Sequence, residues 1–269
     1  MKLRSITTLA LFSAASILSF AQAQPSAITG IAHIAYRVSD LDRENAFLLK
    51  LGYEPSFSFT TKEGKVTETF VKINDRQFLE LYPQTDPTQP LGWMHVCYEA
   101  SDINAAAAVY AAHGLKPTPV KKAGAGNLIT GFNDPEGRTT EFTQYMPGSR
   151  HTLDQGKHLG ASRVSQEIDG IEFPALDMAA ARKFYAEGLG FQTSPQAGGL
   201  RVHITTQSYP WIQLSAAGSK PELLFRVTDA KATERQLRAL GLTVTKGKKA
   251  SSITDPDGNT FVFVEDSSH

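Results

Sequence analysis

The chain has 269 residues, 41% of them hydrophobic, with 27 basic and 27 acidic side chains and a formal net charge of zero. That length suits two domains of ordinary size, and balanced charge without like-charged blocks argues against a nucleic acid or an anionic membrane surface as partner. The single cysteine, Cys97, excludes an intrachain disulfide and a cysteine-rich zinc site.

The first element reads as a leader. Lys2 and Arg4 precede an apolar run, Ile6 to Phe20, and Ala21-Gln-Ala23 fits the small-x-small rule of a signal peptidase site. Residues 1–23 are therefore expected to be a signal peptide cleaved after Ala23, which places the mature chain in the periplasm or outside the cell. The apolar run is too short and too broken by Ser and Thr to stay behind as an anchor.

The next pattern is a strand, a helix and further strands, and it recurs. His33 lies inside an apolar strand, and seven residues later Asp40 is an N-cap for a helix over Leu41 to Lys50 that Gly52 ends. Glu80 sits in the strand 77–82. His95 sits in the strand 93–98, and Asp102 opens a helix from Ile103 to His113 that stops at Gly114. Glu141 sits in the strand 139–145, behind Asp134-Pro-Glu-Gly. Asp177 opens a third helix closed by Gly190, Asp229 opens a fourth closed by Gly241, and Asp255-Pro-Asp-Gly repeats the earlier turn. Four copies of one unit decide an architecture more firmly than propensity does. The expected fold class is α+β: four βαβββ units pairing into two half-barrels. The boundaries read as a domain over 28–146, a linker over 147–165 and a second domain over 166–266. His151 and His158 fall in the Gly-rich, aperiodic linker and are expected to face solvent.

Ionisable groups inside apolar strands cost free energy unless paired. His33, Glu80, His95 and Glu141 occupy such positions at spacings of 47, 15 and 46 residues, matched between the first two units. Two imidazoles and two carboxylates suit one divalent ion per chain, Ni²⁺, Zn²⁺, Co²⁺, Mn²⁺ or Fe²⁺; a metal-free His/Glu hydrogen-bond network is the other arrangement that would bury them. Strand alternation puts Arg37, Tyr82 and Trp93 on the same face as these ligands, as expected substrate contacts. Arg37 either receives a substrate carboxylate or pairs with Glu99. Cys97, on the His95 face, is expected to be a small buried hydrophobe, with a fifth ligand or an oxidation-sensitive neighbour as the alternatives. By register the second half has Gly170, Gln213, Glu222 and Val262 where the first has its ligands, so it is expected to be a metal-free copy, either supporting the first by packing or binding something apolar among Tyr209, Trp211 and Phe261.

His-x3-Arg-Val-x-Asp at 33–40, Phe-Leu-Glu-Leu at 78–81, His-Val-x7-Asn at 95–104, Asp-Pro-Glu-Gly-x3-Glu at 134–141 and Leu-Asp-x6-Phe-Tyr-x3-Leu-Gly-Phe at 176–191 resemble the vicinal oxygen chelate superfamily, which includes glyoxalase I, bleomycin-resistance proteins and extradiol dioxygenases. The resemblance implies a cradle of paired βαβββ units around a metal that chelates adjacent substrate oxygens. It implies Glu141 or Glu80 as a base in lyase or isomerase chemistry on a small α-hydroxycarbonyl compound. Gln84 and the Gly-Ala-Gly after Lys122 do not match a glutathione clamp. An extradiol Fe²⁺ dioxygenase using His33, His95 and Glu141 is the alternative, although 121–134 holds neither the His nor the Tyr of that pattern. A non-catalytic binding protein is the third. In each case the partner is a small molecule.

Overall fold

The computed structural model describes residues 27–196, 198–207, 210–247 and 250–266, so the leader and Tyr209 lie outside the described residues. The first half runs β1 (Ile28–Val38), α1 (Leu41–Lys50), β2 (Glu54–Thr60), β3 (Val66–Lys72), β4 (Phe78–Pro83), β5 (Gly92–Ala100), α2 (Ile103–Ala112), β6 (Lys121–Lys122), β7 (Leu128–Asn133) and β8 (Thr139–Gln144). Its strands form one sheet in the order β2-β3-β4-β1-β5-β8-β7-β6. Each unit closes on its own first strand: β4 returns parallel to β1 and β8 parallel to β5, while β1 and β5 join the units antiparallel.

After a short helix α3 (Arg150–Leu153), the second half repeats the plan with β9 (Ile168–Pro174), α4 (Met178–Lys183, continued by a π turn), β10 (Gln192–Gln196), β11 (Gly199–His203), β12 (Trp211–Ser215), β13 (Glu222–Val227), α5 (Ala230–Ala239), β14 (Thr245–Lys246), β15 (Ala250–Thr254) and β16 (Thr260–Glu265). The order β10-β11-β12-β9-β13-β16-β15-β14 reproduces the first sheet strand for strand. The four repeated aspartates cap their helices, each side chain accepting a bond from a backbone N–H in the first turn. Gly52 ends α1 with φ +87°, and a Cβ there would meet the backbone of Arg163, so both conformation and space require glycine.

One hydrophobic core spans both sheets. Tyr53 stacks on Phe225, Phe47 meets Phe261 edge-on, and Trp93 lies flat on Phe173 at 4.3 Å between ring centroids. Polar ties reinforce it: Arg43 and Ser39 both bond Asp257, Arg138 donates to the Pro174 carbonyl, and Gln77 exchanges two bonds with the backbone of Ile168.

The segment after β8 is not a solvated tether. The backbone N–H of Arg150 donates to Ala125 of the β6–β7 hairpin, and its guanidinium donates to the Ser58 carbonyl on β2. Those two partners sit on opposite arms of the first sheet, so α3 straps the open side of the half-barrel. His158 is half-exposed near Asp154, but His151 is 5% exposed. The expectation that both histidines face solvent fails for His151, because tertiary packing covers a segment whose local sequence carries no periodic apolar signal.

Candidate metal centre

The pairing registers lay out the site as a small grid. Residues directly opposite across neighbouring strands share a face. Glu80, Ala35 and His95 form one such row across β4, β1 and β5, and His33, Cys97 and Glu141 form the next across β1, β5 and β8. Ala35 and Cys97 are the small members, and their size leaves room for the larger side chains to converge.

They do converge. His33 Nε2 lies 3.3 Å from His95 Nε2 and 3.2 Å from Glu80 Oε2, and His95 Nε2 lies 3.3 Å from the same oxygen. Glu141 Oε1 stands 3.6 Å from His33 Nε2. Ligands held about 2.1 Å from one ion are separated by about 3.0 Å in an octahedron and about 3.4 Å in a tetrahedron, and the observed triangle falls between. Glu80 Oε2 is buried without a hydrogen bond of good geometry. The two facing nitrogens can share at most one proton, whereas a cation among the three atoms would satisfy all of them. The donor set therefore fits a divalent ion. Among the described residues, the only triplets of His, Cys, Asp or Glu close enough to share one are His33–Glu80–His95 and His33–Cys97–Glu141.

The electrostatics match. Burial pushes the Glu80 carboxyl up, but His33 and His95 outweigh it and hold it well below the usual carboxylate range. Burial works against charge on His33, yet Glu80, with Glu141 behind it, raises it. Burial and the Glu141 carboxylate raise the Cys97 thiol, which packs as a neutral group. Tyr82 donates its hydroxyl to Glu80 Oε1 at 3.0 Å and so fixes that carboxylate.

A cavity of about 320 Å³ opens over the grid, walled by Phe59, Phe70, Tyr82, Ile129 and Tyr145. No Lys or Arg lines it among the described residues. Two lining groups were not expected at the site. Glu68, on β3, is pushed up to about 9 by burial and by the neighbouring Glu80 and Glu141 carboxylates. It shares a face with Val66 and alternates with Thr67 and Thr69, as on a half-exposed strand, so nothing local marks it. His151 enters from the strap.

Two expected contacts lie elsewhere. Trp93 does not line the cavity; it packs on Phe173, with Arg138 over its ring. The cause is a β-bulge: Ala35 pairs with His95 but Tyr36 pairs with Trp93, so Met94 is the extra residue and the alternation inverts. Arg37 keeps the ligand face at the end of β1, but its guanidinium donates to the Pro90 carbonyl and does not line the cavity. It does not pair with Glu99 either, which binds Arg76.

In the second sheet Gly170, Gln213, Glu222 and Val262 occupy the positions matching His33, Glu80, His95 and Glu141. A Cβ on Gly170 would run into the Trp211 carbonyl oxygen. Phe261 is buried in the core between the sheets, and Trp211 lies under Arg201.

Residues 32–132 match the model of the family described as the glyoxalase/bleomycin resistance protein/dioxygenase superfamily. No curated protein matches the sequence. Solved structures resemble nearly the whole chain. The Mn(II)-bound glyoxalase from Novosphingobium aromaticivorans superposes with TM-score 0.68 at 17% identity, covering 89% of this chain and 82% of that one. The 2,3-dioxygenase LapB from Pseudomonas sp. KL28 gives 0.68 at 14% identity, covering 89% and 93%. An extradiol ring-cleaving dioxygenase from B. fuscum gives 0.63 at 16%, covering 92% and 74%. At these identities the likeness is one of fold.

Proposed function

We propose, from the match of residues 32–132 to the glyoxalase/bleomycin resistance protein/dioxygenase superfamily and from the geometry of the site, that the protein is a metal-dependent lyase or isomerase acting on a compact, uncharged substrate with two adjacent oxygens, an α-hydroxycarbonyl compound. The observation that carries this reading is the division of labour between the two glutamates. Glu80 is locked by Tyr82 and completes the triangle with His33 and His95, while Glu141 stands at its side, half-buried and facing the cavity. One carboxylate is built to hold; the other is free to move a proton between neighbouring carbons.

A divalent ion would be held by His33, Glu80 and His95 with Glu141 beside them, and when bound it supplies Lewis-acid polarisation of the substrate oxygens. Glu141 then accepts a proton from one carbon and returns it to the next. The aromatic walls exclude water during that transfer. The cavity's size and the lack of any Lys or Arg in its wall among the described residues disfavour a polyanionic tripeptide conjugate. Aromatic walls support a second reading, ring cleavage of an aromatic diol with oxygen. Metal analysis of the purified protein, then assay after loading with Mn²⁺, Ni²⁺, Zn²⁺ or Fe²⁺ with an oxygen electrode in line, separates them. Turnover without oxygen uptake supports isomerase or lyase chemistry; oxygen uptake with iron alone supports ring cleavage.

Export is proposed with it. Residues 1–23 are read as a cleaved leader, and sequencing of the native protein is expected to begin at Gln24. The proposed partner is a small molecule, without nucleic acid or membrane.

A further inference from the structure

The strap that closes the first half-barrel brings His151 into the cavity wall. Its ring meets Phe57, Phe70 and Phe78 edge-on, at centroid distances of 4.9, 4.9 and 4.7 Å, and Tyr145 covers it at 5.1 Å. In this apolar box its protonation pattern is set by one neighbour. The backbone N–H of Met146 donates to Asn127 Oδ1 at 3.1 Å, so the amide of Asn127 has one orientation. Its Nδ2 therefore points at His151 Nδ1, 2.9 Å away, and is the donor. An imidazole that accepts at Nδ1 carries its proton on Nε2. Burial, with the charge of His33 nearby, pushes the ring down to about 3, which keeps it neutral.

The result is an N–H donor with nothing to donate to. His151 Nε2 is buried and has no hydrogen-bond partner. Buried polar atoms are paired in the great majority of cases, and leaving one unpaired costs as much as a lost bond. His151 is a lining residue of the cavity, which makes a molecule bound there the candidate source of the missing acceptor.

We propose that His151 positions the substrate by donating its Nε2–H to an oxygen of the molecule held at the His33–Glu80–His95–Glu141 centre. This rests on the metal-centre reading above and adds a substrate feature to it: an oxygen acceptor directed at the strap. The strap thereby becomes part of the binding site.

The test uses the full mature chain loaded with Zn²⁺, which is diamagnetic, and 4-nitrocatechol, a planar chelator with two adjacent oxygens. Three readouts are needed: zinc content, probe affinity from its absorbance change, and the ring ¹⁵N–¹H signals of His151. The wild type is expected to show a proton on Nε2 and to move that signal as the probe saturates. His151→Phe, which keeps the ring contacts, is expected to retain zinc and bind the probe roughly tenfold more weakly or worse, the loss appropriate to one hydrogen bond to a charged oxygen. A proton on Nδ1, a signal unmoved at saturation, or unchanged affinity in a zinc-loaded His151→Phe would overturn the proposal and leave the metal centre standing. If His151→Phe does not fold, the wild-type signals decide. No zinc uptake by the wild type would overturn the metal-centre reading, and this one with it.

Discussion

Filling the space between the ligands tests the grid without touching a ligand. Ala35 is fully buried and sits between His95 and Glu80 in register. Ala35→Leu would drive three more carbons into the gap that an ion needs. In the wild type, metal at about a thousand times its Kd should stabilise the fold by about 4 kcal/mol. For a chain of this size each kcal/mol is worth about 2–4 °C, so the melting temperature should rise by about 8–16 °C on loading. Overpacking costs Ala35→Leu roughly 1–3 kcal/mol by itself, so its chelated form should melt lower than the chelated wild type. The diagnostic quantity is the difference between chelated and loaded forms within each protein. Differential scanning fluorimetry with and without EDTA, run beside metal analysis, measures it. The variant should show no shift and no stoichiometric metal. An Ala35→Leu protein that takes up one ion and keeps the wild-type shift would show that the ligands do not meet where the register puts them.

Trp93→Ala should cost about 3 kcal/mol by opening the stack on Phe173, while metal content and probe affinity stay at wild-type levels; a selective loss of probe affinity would return Trp93 to the cavity wall. Arg37→Ala should leave probe affinity within twofold of wild type by the same titration. Glu44 is buried beside Asp255 and Asp257 and is pushed up, chiefly by burial, to about 8 from 4.5. Its folded value lies above its unfolded one, so its contribution is full below about pH 4.5 and is lost as pH rises through about 8, a change of up to about 5 kcal/mol. Urea unfolding of Glu44→Gln across pH 4 to 9 should show most of that slope removed, and parallel pH profiles for the two proteins would refute the assignment.

The repeating parts were legible in the sequence for a physical reason. Aspartate caps, helix-ending glycines and buried ionisable groups are local features, and four copies at matched offsets reinforce one another. Hence the two-sheet cradle and the meeting of His33, Glu80, His95 and Glu141 could be read from spacing. Trp93 could not, because one bulged residue at Met94 inverts every inference drawn from period two. Arg37 was on the correct face but at a strand end, where a loop carbonyl captured it. Glu68 lies in a strand whose alternate positions look solvated, and His151 lies in a stretch with no period. Both owe their place to distant chain: β4 sets the first beside Glu80, and Asn127 orients the second. Single-sequence patterns do not encode such meetings.

Gly170 has a consequence for the history of the molecule. It stands where the first domain has His33, and any side chain there collides with a neighbouring strand's backbone. The collision is with a carbonyl of the ladder, which cannot move without unpairing β9 from β12. Restoring histidine would therefore require the two strands to shift together, and a single codon change cannot do that. If the second domain descends from a copy that once held an ion, the step to glycine worked as a ratchet: packing tightened into the vacated space and closed the way back. The two halves are then free to diverge in opposite senses, one kept open around its polar residues and the other consolidated as support.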